Sequence, residues 1–228
     1  MNIIKTLTAY IFKSYKVIIF LIQGVNFQRP FSTVIRGKLI IGKRVSIGSN
    51  VTFIGNVGIA DDVKIEDNCI IISSQLFKKA HIKFSSIVED SEIGIESFIG
   101  PVARVRGNSE IGENCQIGNF VEIKNSIIGN QTRINHMAFV GDAILEANVT
   151  IGAGVITCNH DGVNVNKTFI KEGAYIGSNS NLVAPLIIGK ESTIGSGSTI
   201  TSDVEDNQLV LARTRQQEVE GWSGRKKR

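Results

Sequence analysis

The chain contains little cysteine, and its cysteines are scattered. Of 228 residues only three are cysteine, Cys69, Cys115 and Cys158, and none lies in a CxxC pair or at another metal-ligand spacing. A disulfide framework and a zinc site are therefore not indicated. The sequence predicts a reduced, cytoplasmic setting and no bound metal.

Acidic residues are absent from the beginning of the chain. Residues 1–60 contain eight lysines and arginines, whereas the first carboxylate is Asp61. The remaining residues hold 17 basic and 21 acidic side chains, so the overall net charge of +4 comes from this first part. The C-terminal run 225–228 is also basic, but such a short run is more typical of a solvated end than of a nucleic-acid site. We expect no nucleic-acid partner.

A long uncharged apolar run is also missing. Residues 1–23 are rich in isoleucine, leucine and phenylalanine, but Lys5, Lys13 and Lys16 interrupt them, so the uncharged stretch of roughly 18 residues that a membrane span needs does not occur. A secretory signal is disfavoured because no A-x-A-like site follows. Two interpretations of this predicted helix stay open. It is either an interfacial helix on the anionic inner face of the cytoplasmic membrane, or a cap over the open end of the fold.

The sequence does have a period of six. In the C-terminal half, aliphatic residues recur at six-residue intervals: Ile170, Ile176, Leu182, Ile188, Ile194 and Ile200. The same interval runs through Ile93, Ile99, Val105, Ile111, Ile117 and Ile123. A short fixed period is typical of a solenoid, in which each repeat is too small to bury its own side chain and stacks on its neighbours. The sequence therefore predicts an all-β solenoid, a parallel β-helix of hexapeptide repeats.

The regularity of this period divides the chain into three segments. We predict an N-terminal helix and linker over residues 1–30, the β-helix over 31–203, and a tail over 204–228. The period is lost over 73–90, which we expect to be an outward loop or irregular coils, and over 158–169, which we expect to be a protruding loop. Loops on a rigid scaffold commonly carry binding residues.

Spacing alone indicates one candidate anion site. If three hexapeptides form one coil, residues 18 apart stack, which pairs Arg106 with Lys124 and Ser178 with Ser196. Two stacked cations repel each other unless an anion lies beside them, and a phosphate is one such anion. Two solvated surface charges are the alternative, and the spacing does not decide between them.

Several longer blocks resemble a known family. They are GPVARVR at 100–106, GNFVEIK at 118–124, His136 with VGDA at 140–143, and IGAGVITCNHDG at 151–162. These blocks resemble the acetyltransferase half of the bifunctional glucosamine-1-phosphate acetyltransferase / N-acetylglucosamine-1-phosphate uridyltransferase family, and the similarity extends over roughly residues 92–228. The resemblance implies a left-handed β-helix, a homotrimer, and acetyl-CoA bound between neighbouring protomers. No Gly-rich nucleotide loop of the uridyltransferase half occurs in the first 92 residues.

The resemblance also implies roles for individual residues. The family's catalytic base corresponds to His136, and an imidazole suits the removal of a proton from an amino-sugar ammonium at neutral pH. The implied contacts to the substrate and to the coenzyme are Arg106 and Lys124 for the sugar phosphate, Asn159 for the sugar, and Ser178, Ser196 and Arg213 for acetyl-CoA. His160 stands at a family tyrosine position.

Three substrate positions depart from the family pattern. Phe139 replaces a tyrosine, Thr150 an asparagine and Val165 a lysine, so each change removes a polar or charged contact; Lys167 lies close enough in sequence to substitute for the missing lysine. The expected function is N-acetylation of an amino-sugar phosphate or a nucleotide-linked amino sugar in cell-envelope precursor synthesis. O-acetylation of an envelope glycan precursor and a non-catalytic trimeric scaffold are the alternatives.

Overall fold

The computed structural model describes residues 15–219, which form a parallel β-helix with three short strands in each coil. The predicted solenoid is confirmed. The eleven strands of face A stack into one sheet: Asn26–Phe27, Ser46–Ile47, Lys64–Ile65, His81–Ile82, Phe98–Ile99, Gln116–Asn119, Arg133–His136, Thr150–Ile151, Tyr175–Ile176, Thr193–Ile194 and Leu209–Val210.

Faces B and C form a second, 17-stranded sheet, because two long strands, Val34–Ile41 and Thr52–Ile59, bend through the corner between them. Face B continues with Ile70–Ile72, Ile87–Glu89, Arg104–Arg106, Glu122–Lys124, Phe139–Gly141, Ile156–Cys158, Asn181–Val183 and Thr199–Ile200. Face C continues with Gln75–Leu76, Glu92–Ile93, Glu110–Ile111, Ile127–Ile128, Ala143–Leu145, Thr168–Ile170 and Leu186–Ile188.

The core is a column of the periodic aliphatic side chains. On face A, Ile82, Ile99, Ile117 and Ile134 stack in register and are at most 1% exposed. Each such burial stabilises the fold by about 1.5–3 kcal/mol. The neighbouring residues of each strand face outward, so the surface of the coils is available for other tasks.

Residues 73–90, where the period of six is lost, form coils of the β-helix and no outward loop. This segment contains the strands Gln75–Leu76, His81–Ile82 and Ile87–Glu89, all paired in register with the coils on both sides. The register pairs Lys64 with His81 and His81 with Phe98, which makes each of these coils one residue shorter than 18. Each of these coils has one residue fewer at the corner between faces B and C, and the column of buried aliphatic side chains continues through them without interruption.

Both predicted boundaries of the β-helix shift outward. Asn26–Phe27 pairs with Ser46–Ile47, so the solenoid begins inside the segment assigned to a linker. Leu209–Val210 pairs with Thr193–Ile194, so it continues into the segment assigned to a tail. Residues 220–228 lie outside the described residues.

The described part of the N-terminal helix covers the open end of the solenoid. Residues 15–22 are helical, and a 3-10 helix follows at Pro30–Ser32. Val17 is 1% exposed, Phe20 packs against the core, and the Lys16 ammonium donates a 2.9 Å hydrogen bond to the Gly37 carbonyl. These contacts are those of a cap. Within 15–219 no helix is long and apolar enough to cross a bilayer, and residues 1–14 lie outside the described residues.

The predicted loop protrudes between faces B and C. Thr150 pairs with Tyr175, so this coil is seven residues longer than 18, and the extra residues lie between Cys158 and Thr168. His160 and Val165 form an antiparallel bridge within the loop. The Asp161 carboxylate accepts hydrogen bonds from the backbone N–H groups of Asn164 and Val163, which lower its pKa to about 2. The loop therefore has a defined shape that a charged aspartate maintains.

Candidate active site

Arg106 and Lys124 stack on face B as the spacing predicts. They are register partners in the adjacent strands Arg104–Arg106 and Glu122–Lys124. Each cation, however, has a carboxylate of its own: Arg106 Nε lies 2.6 Å from Glu122 Oε1, and Lys124 Nζ lies 3.6 Å from Asp142 Oδ2. The repulsion between the stacked cations is therefore relieved within the chain. Both side chains remain about one-third exposed and retain further N–H donors for a ligand.

Asp142 organises the edge of face B next to Lys124. Only 4% of this residue is exposed, and its carboxylate accepts hydrogen bonds from the side-chain amides of Asn125 and Asn159. Burial opposes ionisation, but these two hydrogen bonds and the charge of Lys124 hold the pKa of Asp142 below its usual value. Asp142 is therefore a buried anion that orients both a predicted phosphate contact and a predicted sugar contact.

Phe139 lies on the same surface. Its ring covers Gly141, where an added Cβ would fall 2.6 Å from Phe139 Cζ and 3.1 Å from Asn159 Nδ2. Face B thus brings Phe139, Lys124 and Asn159 together around Gly141. The close approach requires glycine at this position, since any side chain would push the ring or the amide away.

His136 lies at the opposite edge of face B, at the corner shared with face A. Its Nδ1 is 2.8 Å from Asn119 Oδ1, and the imidazole is exposed. An amide oxygen only accepts hydrogen bonds, so Nδ1 carries a proton, and in the neutral imidazole it is then Nε2 that holds the lone pair. That tautomer is the one that a general base requires.

The predicted coenzyme residues follow the same corner toward the C-terminal end. Counting two residues beyond the paired isoleucines 134, 151, 176 and 194 places His136, Ala153, Ser178 and Ser196 in one column. Adjacent coils are about 4.8 Å apart, so Ser178 lies roughly 10 Å from His136. Arg213 donates a 2.9 Å hydrogen bond from Nη1 to the Ser196 carbonyl, which joins it to this column.

The altered positions lie in two different places. Thr150 is on face A, paired with Arg133 and Tyr175, and is apart from the group around Asp142. Val165 is 54% exposed in the protruding loop. Asn166, beside it, donates its backbone N–H to the Asn159 carbonyl at 2.7 Å. Val165 therefore lies close to the predicted sugar contact, whereas Thr150 does not.

Sequence reasoning missed Asp142, Glu122 and Asn119. The signal was present, since the coil spacing that pairs Arg106 with Lys124 also brings Asp142 beside Lys124. Glu122 and Asn119 are likewise placed one coil away from their partners, Arg106 and His136.

Comparison with known proteins finds relatives that match most of the chain. The chain is 42% identical over 205 residues to the bifunctional protein GlmU of Marinobacter nauticus, and 53% identical over 137 residues to that of Picosynechococcus sp.. This chain resembles the C-terminal half of GlmU. The alignments cover 90% and 60% of this chain but only 45% and 30% of the two relatives, so the chain spans less than half of their length.

Family models and solved structures agree with the fold. Residues 167–202 match the bacterial transferase hexapeptide (six repeats), and residues 35–112 match the GMPPB C-terminal domain. LpxA from Bacteroides fragilis, a UDP-N-acetylglucosamine acyltransferase, superposes with a TM-score of 0.50 at 19% identity, covering 80% of this chain and 69% of that chain. At that identity the likeness shows the hexapeptide β-helix fold alone.

Proposed function

We propose that this chain is an acetyl-CoA-dependent N-acetyltransferase that acts on an amino-sugar phosphate. The observation that supports this most is the arrangement of face B, with the available Nε2 of His136 at one edge and the cations Arg106 and Lys124 at the other. The similarity to GlmU supports the class of enzyme, an acyltransferase of sugar precursors. The reaction takes place in the cytoplasm in this proposal.

The reaction requires a general base and a binding site for the phosphate of the acceptor. The acceptor arrives largely as an ammonium ion and first loses one proton to solvent. The amine nitrogen then attacks the thioester carbonyl carbon of acetyl-CoA while His136 Nε2 takes a second proton from it, so that a neutral amide can form. The carbon–sulfur bond breaks, and the departing thiolate takes its proton from the imidazolium. A positioned imidazole of this kind contributes about 10²–10⁴-fold to the rate.

Arg106 and Lys124 bind the phosphate in this proposal. Glu122 and Asp142 hold the two side chains in place before the substrate arrives, and the guanidinium and ammonium groups use their remaining N–H donors for the phosphate oxygens. Ser178, Ser196 and Arg213 hold the coenzyme along the corner column, with its thioester toward His136. The active species is a homotrimer, as the family resemblance implies.

A nucleotide-linked amino sugar is the second candidate acceptor. The changes at Phe139, Thr150 and Val165 weaken the contacts expected for a small sugar phosphate. In addition, a cavity of about 290 Å³ lies on face A, lined by Lys83, Phe98, Gln116 and Asn135 among others, and Asn135 directly precedes His136 in the chain. A cation next to an aromatic ring suits a phosphate and a stacked base, so this cavity favours a larger acceptor.

The test measures CoA release with glucosamine, glucosamine 1-phosphate and UDP-linked amino sugars, for the parent chain and His136→Ala. We expect turnover of an amino-sugar phosphate or nucleotide that falls at least about 100-fold in His136→Ala, with the acetyl-CoA KM unchanged. Undiminished turnover in that variant would remove His136 from the mechanism. Release of CoA only with hydroxyl acceptors would replace N-acetylation by O-acetylation, and no release with any acceptor would leave a non-catalytic scaffold.

A further inference from the structure

The capping helix is apolar on two sides. Val17 faces the core and is 1% exposed, whereas Tyr15, Ile18 and Ile22 are 61%, 43% and 81% exposed. These three residues are separated by three and four positions, so they lie along one outward face of the helix. A cap needs only its inner face to be apolar. The outer face therefore has no task in the fold of the described residues.

Further exposed apolar groups lie at the same end. Leu21 on the helix is 39% exposed, and Phe31 on the following 3-10 helix is 62% exposed. We name Tyr15, Ile18, Leu21, Ile22 and Phe31 the end surface.

Positive charge surrounds the end surface. Residues 15–60 contain no aspartate or glutamate, and Arg29, Arg36, Lys38, Lys43 and Arg44 are exposed on the first coils. Among these five, Arg44 is paired with Asp62, and the other four are in no ion pair within residues 15–219. The basic excess of the whole chain is thus concentrated around its exposed apolar end.

The combination of exposed apolar side chains and surrounding positive charge distinguishes between two partners for the end surface, a second copy of the chain and a lipid bilayer. A second copy that docked end to end would bring two surfaces of the same positive charge together, which opposes association. An anionic bilayer interface instead accepts apolar side chains below its headgroups and attracts the surrounding lysines and arginines. We propose that the end surface binds the surface of an anionic lipid bilayer, with the capping helix lying in the interface and the coils extending away from it.

The proposal does not depend on the proposed acetyl transfer. Arg106 lies four coils beyond the first strand of face B, roughly 20 Å at about 4.8 Å per coil, so the end surface and the candidate active site are separate. Loss of one activity therefore leaves the other measurable.

The test is flotation of the full chain with vesicles of phosphatidylcholine, with and without phosphatidylglycerol. We expect binding only to the vesicles that contain phosphatidylglycerol, and weaker binding as salt is raised. Ile18→Ser with Ile22→Ser, and separately Arg36→Gln with Lys38→Gln, are expected to lower the partition coefficient at least about tenfold. The matched control is Leu209→Ser, which alters a residue 64% exposed on the last coil and is expected to bind as the parent does.

Unfolding in urea is measured for each variant, so that loss of binding is compared only among chains of equal stability. The proposal is overturned if the parent does not float with phosphatidylglycerol vesicles, or if it floats equally with phosphatidylcholine alone. It is also overturned if the Ile18→Ser, Ile22→Ser variant binds as the parent does. Sedimentation that shows self-association lost in that variant, without vesicle binding, would assign the end surface to a second copy.

Discussion

At the scale of the residue, the orientation of His136 depends on one neighbour. Asn119 Oδ1 accepts the Nδ1–H of His136 and leaves Nε2 available as the base. In Asn119→Asp the acceptor oxygen is retained but becomes a carboxylate, which stabilises the imidazolium relative to the neutral imidazole. We expect the acid limb of the pH profile of kcat/KM to move to higher pH, because the base must be unprotonated to act.

The control for this prediction is Asn68→Asp, since Asn68 Oδ1 likewise accepts a side-chain hydrogen bond, from Asn50, but lies on earlier coils outside the candidate active site. An unshifted acid limb in Asn119→Asp would show that Asn119 does not position the base.

Asp142 gives a prediction about stability and pH. Its pKa is lowered in the folded chain, so its contribution is present above the unfolded value of about 3.9 and is lost as the pH falls through the lower folded value. Asp142→Asn is expected to lower the free energy of unfolding by about 1–3 kcal/mol at pH 7, through loss of charge-assisted hydrogen bonds. We expect the difference in the free energy of unfolding between the parent and Asp142→Asn to become smaller as the pH is lowered toward 3, as measured by urea unfolding.

Asp90→Asn is the matched control for this substitution. Asp90 has a φ of 45° against 51° for Asp142, a left-handed conformation that asparagine tolerates equally well, but it is exposed. We expect Asp90→Asn to change stability little at either pH. A pH-independent deficit in Asp142→Asn would mean that its charge is not what stabilises the fold.

The altered acceptor positions can be restored together. Phe139→Tyr places a hydroxyl, and Val165→Lys a cation, near the group formed by Lys124 and Asn159. We expect the double variant to raise kcat/KM for glucosamine 1-phosphate by about tenfold or more, since each charge-assisted contact contributes about 1–3 kcal/mol. The gain is measured against a UDP-linked amino sugar as the comparison substrate. A parent that already uses glucosamine 1-phosphate efficiently, with no gain in the variant, would contradict the altered-acceptor hypothesis.

The residues of the site differ in how far the sequence predicts them. Arg106 and Lys124 follow from a spacing of 18, and the structure places them as register partners. The burial of Asp142 does not follow, because it depends on a corner where Asn125 and Asn159 from different coils converge on one carboxylate. A period in the sequence predicts which residues stack on each other in adjacent coils, but it does not predict which polar side chain is buried.

At the scale of the element, a ladder of serines forms the corner between faces B and C. The backbone N–H of each serine donates to the hydroxyl of the serine one coil below, at 3.1–3.2 Å: Ser91 to Ser74, Ser109 to Ser91, and Ser126 to Ser109. These hydroxyls in turn donate to carbonyls at the end of face B, including that of Arg106. The ladder satisfies backbone groups that the turn removes from the sheet.

This ladder predicts a cost for removing one hydroxyl. Ser109 is fully buried, and Ser109→Ala leaves the Ser126 N–H without its acceptor. We expect a loss of about 1–3 kcal/mol in urea unfolding, together with a higher KM for the acceptor because the end of the Arg106 strand loosens. Ser46→Ala, at a half-buried position on face A, serves as the control. Equal stability of the two variants would contradict a structural role for the ladder.

The same corner explains why the period of six residues is lost over residues 73–90. Fully or nearly fully buried aliphatic residues continue through this segment as Ile71, Leu76, Ile82 and Val88, but the step from Ile71 to Leu76 is five residues instead of six. The corner is built from a buried serine and tolerates one residue fewer. A strict search for intervals of six loses the register at the first such step.

At the scale of the whole molecule, the corner between faces A and B carries an unusual column. Val102, Phe120 and Met137 have φ values of 53°, 56° and 45°, whereas the equivalent corners at Asn50 and Asn68 use asparagine. Left-handed backbone costs a residue with a large side chain about 1–2 kcal/mol. The three side chains are nevertheless 40%, 60% and 65% exposed in the single chain. A strained, exposed apolar column next to His136 is the surface that we expect a neighbouring protomer to cover.

The homotrimer can therefore be tested by one substitution that relieves strain. Asparagine suits the left-handed corner better than phenylalanine, so the single chain is expected to keep its stability in Phe120→Asn. The trimer is expected to dissociate at a higher protein concentration than in the parent, as measured by sedimentation velocity. Acetyl transfer is expected to fall with the fraction of trimer. Phe77→Asn is the control, because Phe77 is also exposed, at 42%, but lies at the corner between faces C and A, away from this column. If Phe120→Asn sediments as the parent does, or if a monomer proves fully active, the column is not the interface and the site is complete within one chain.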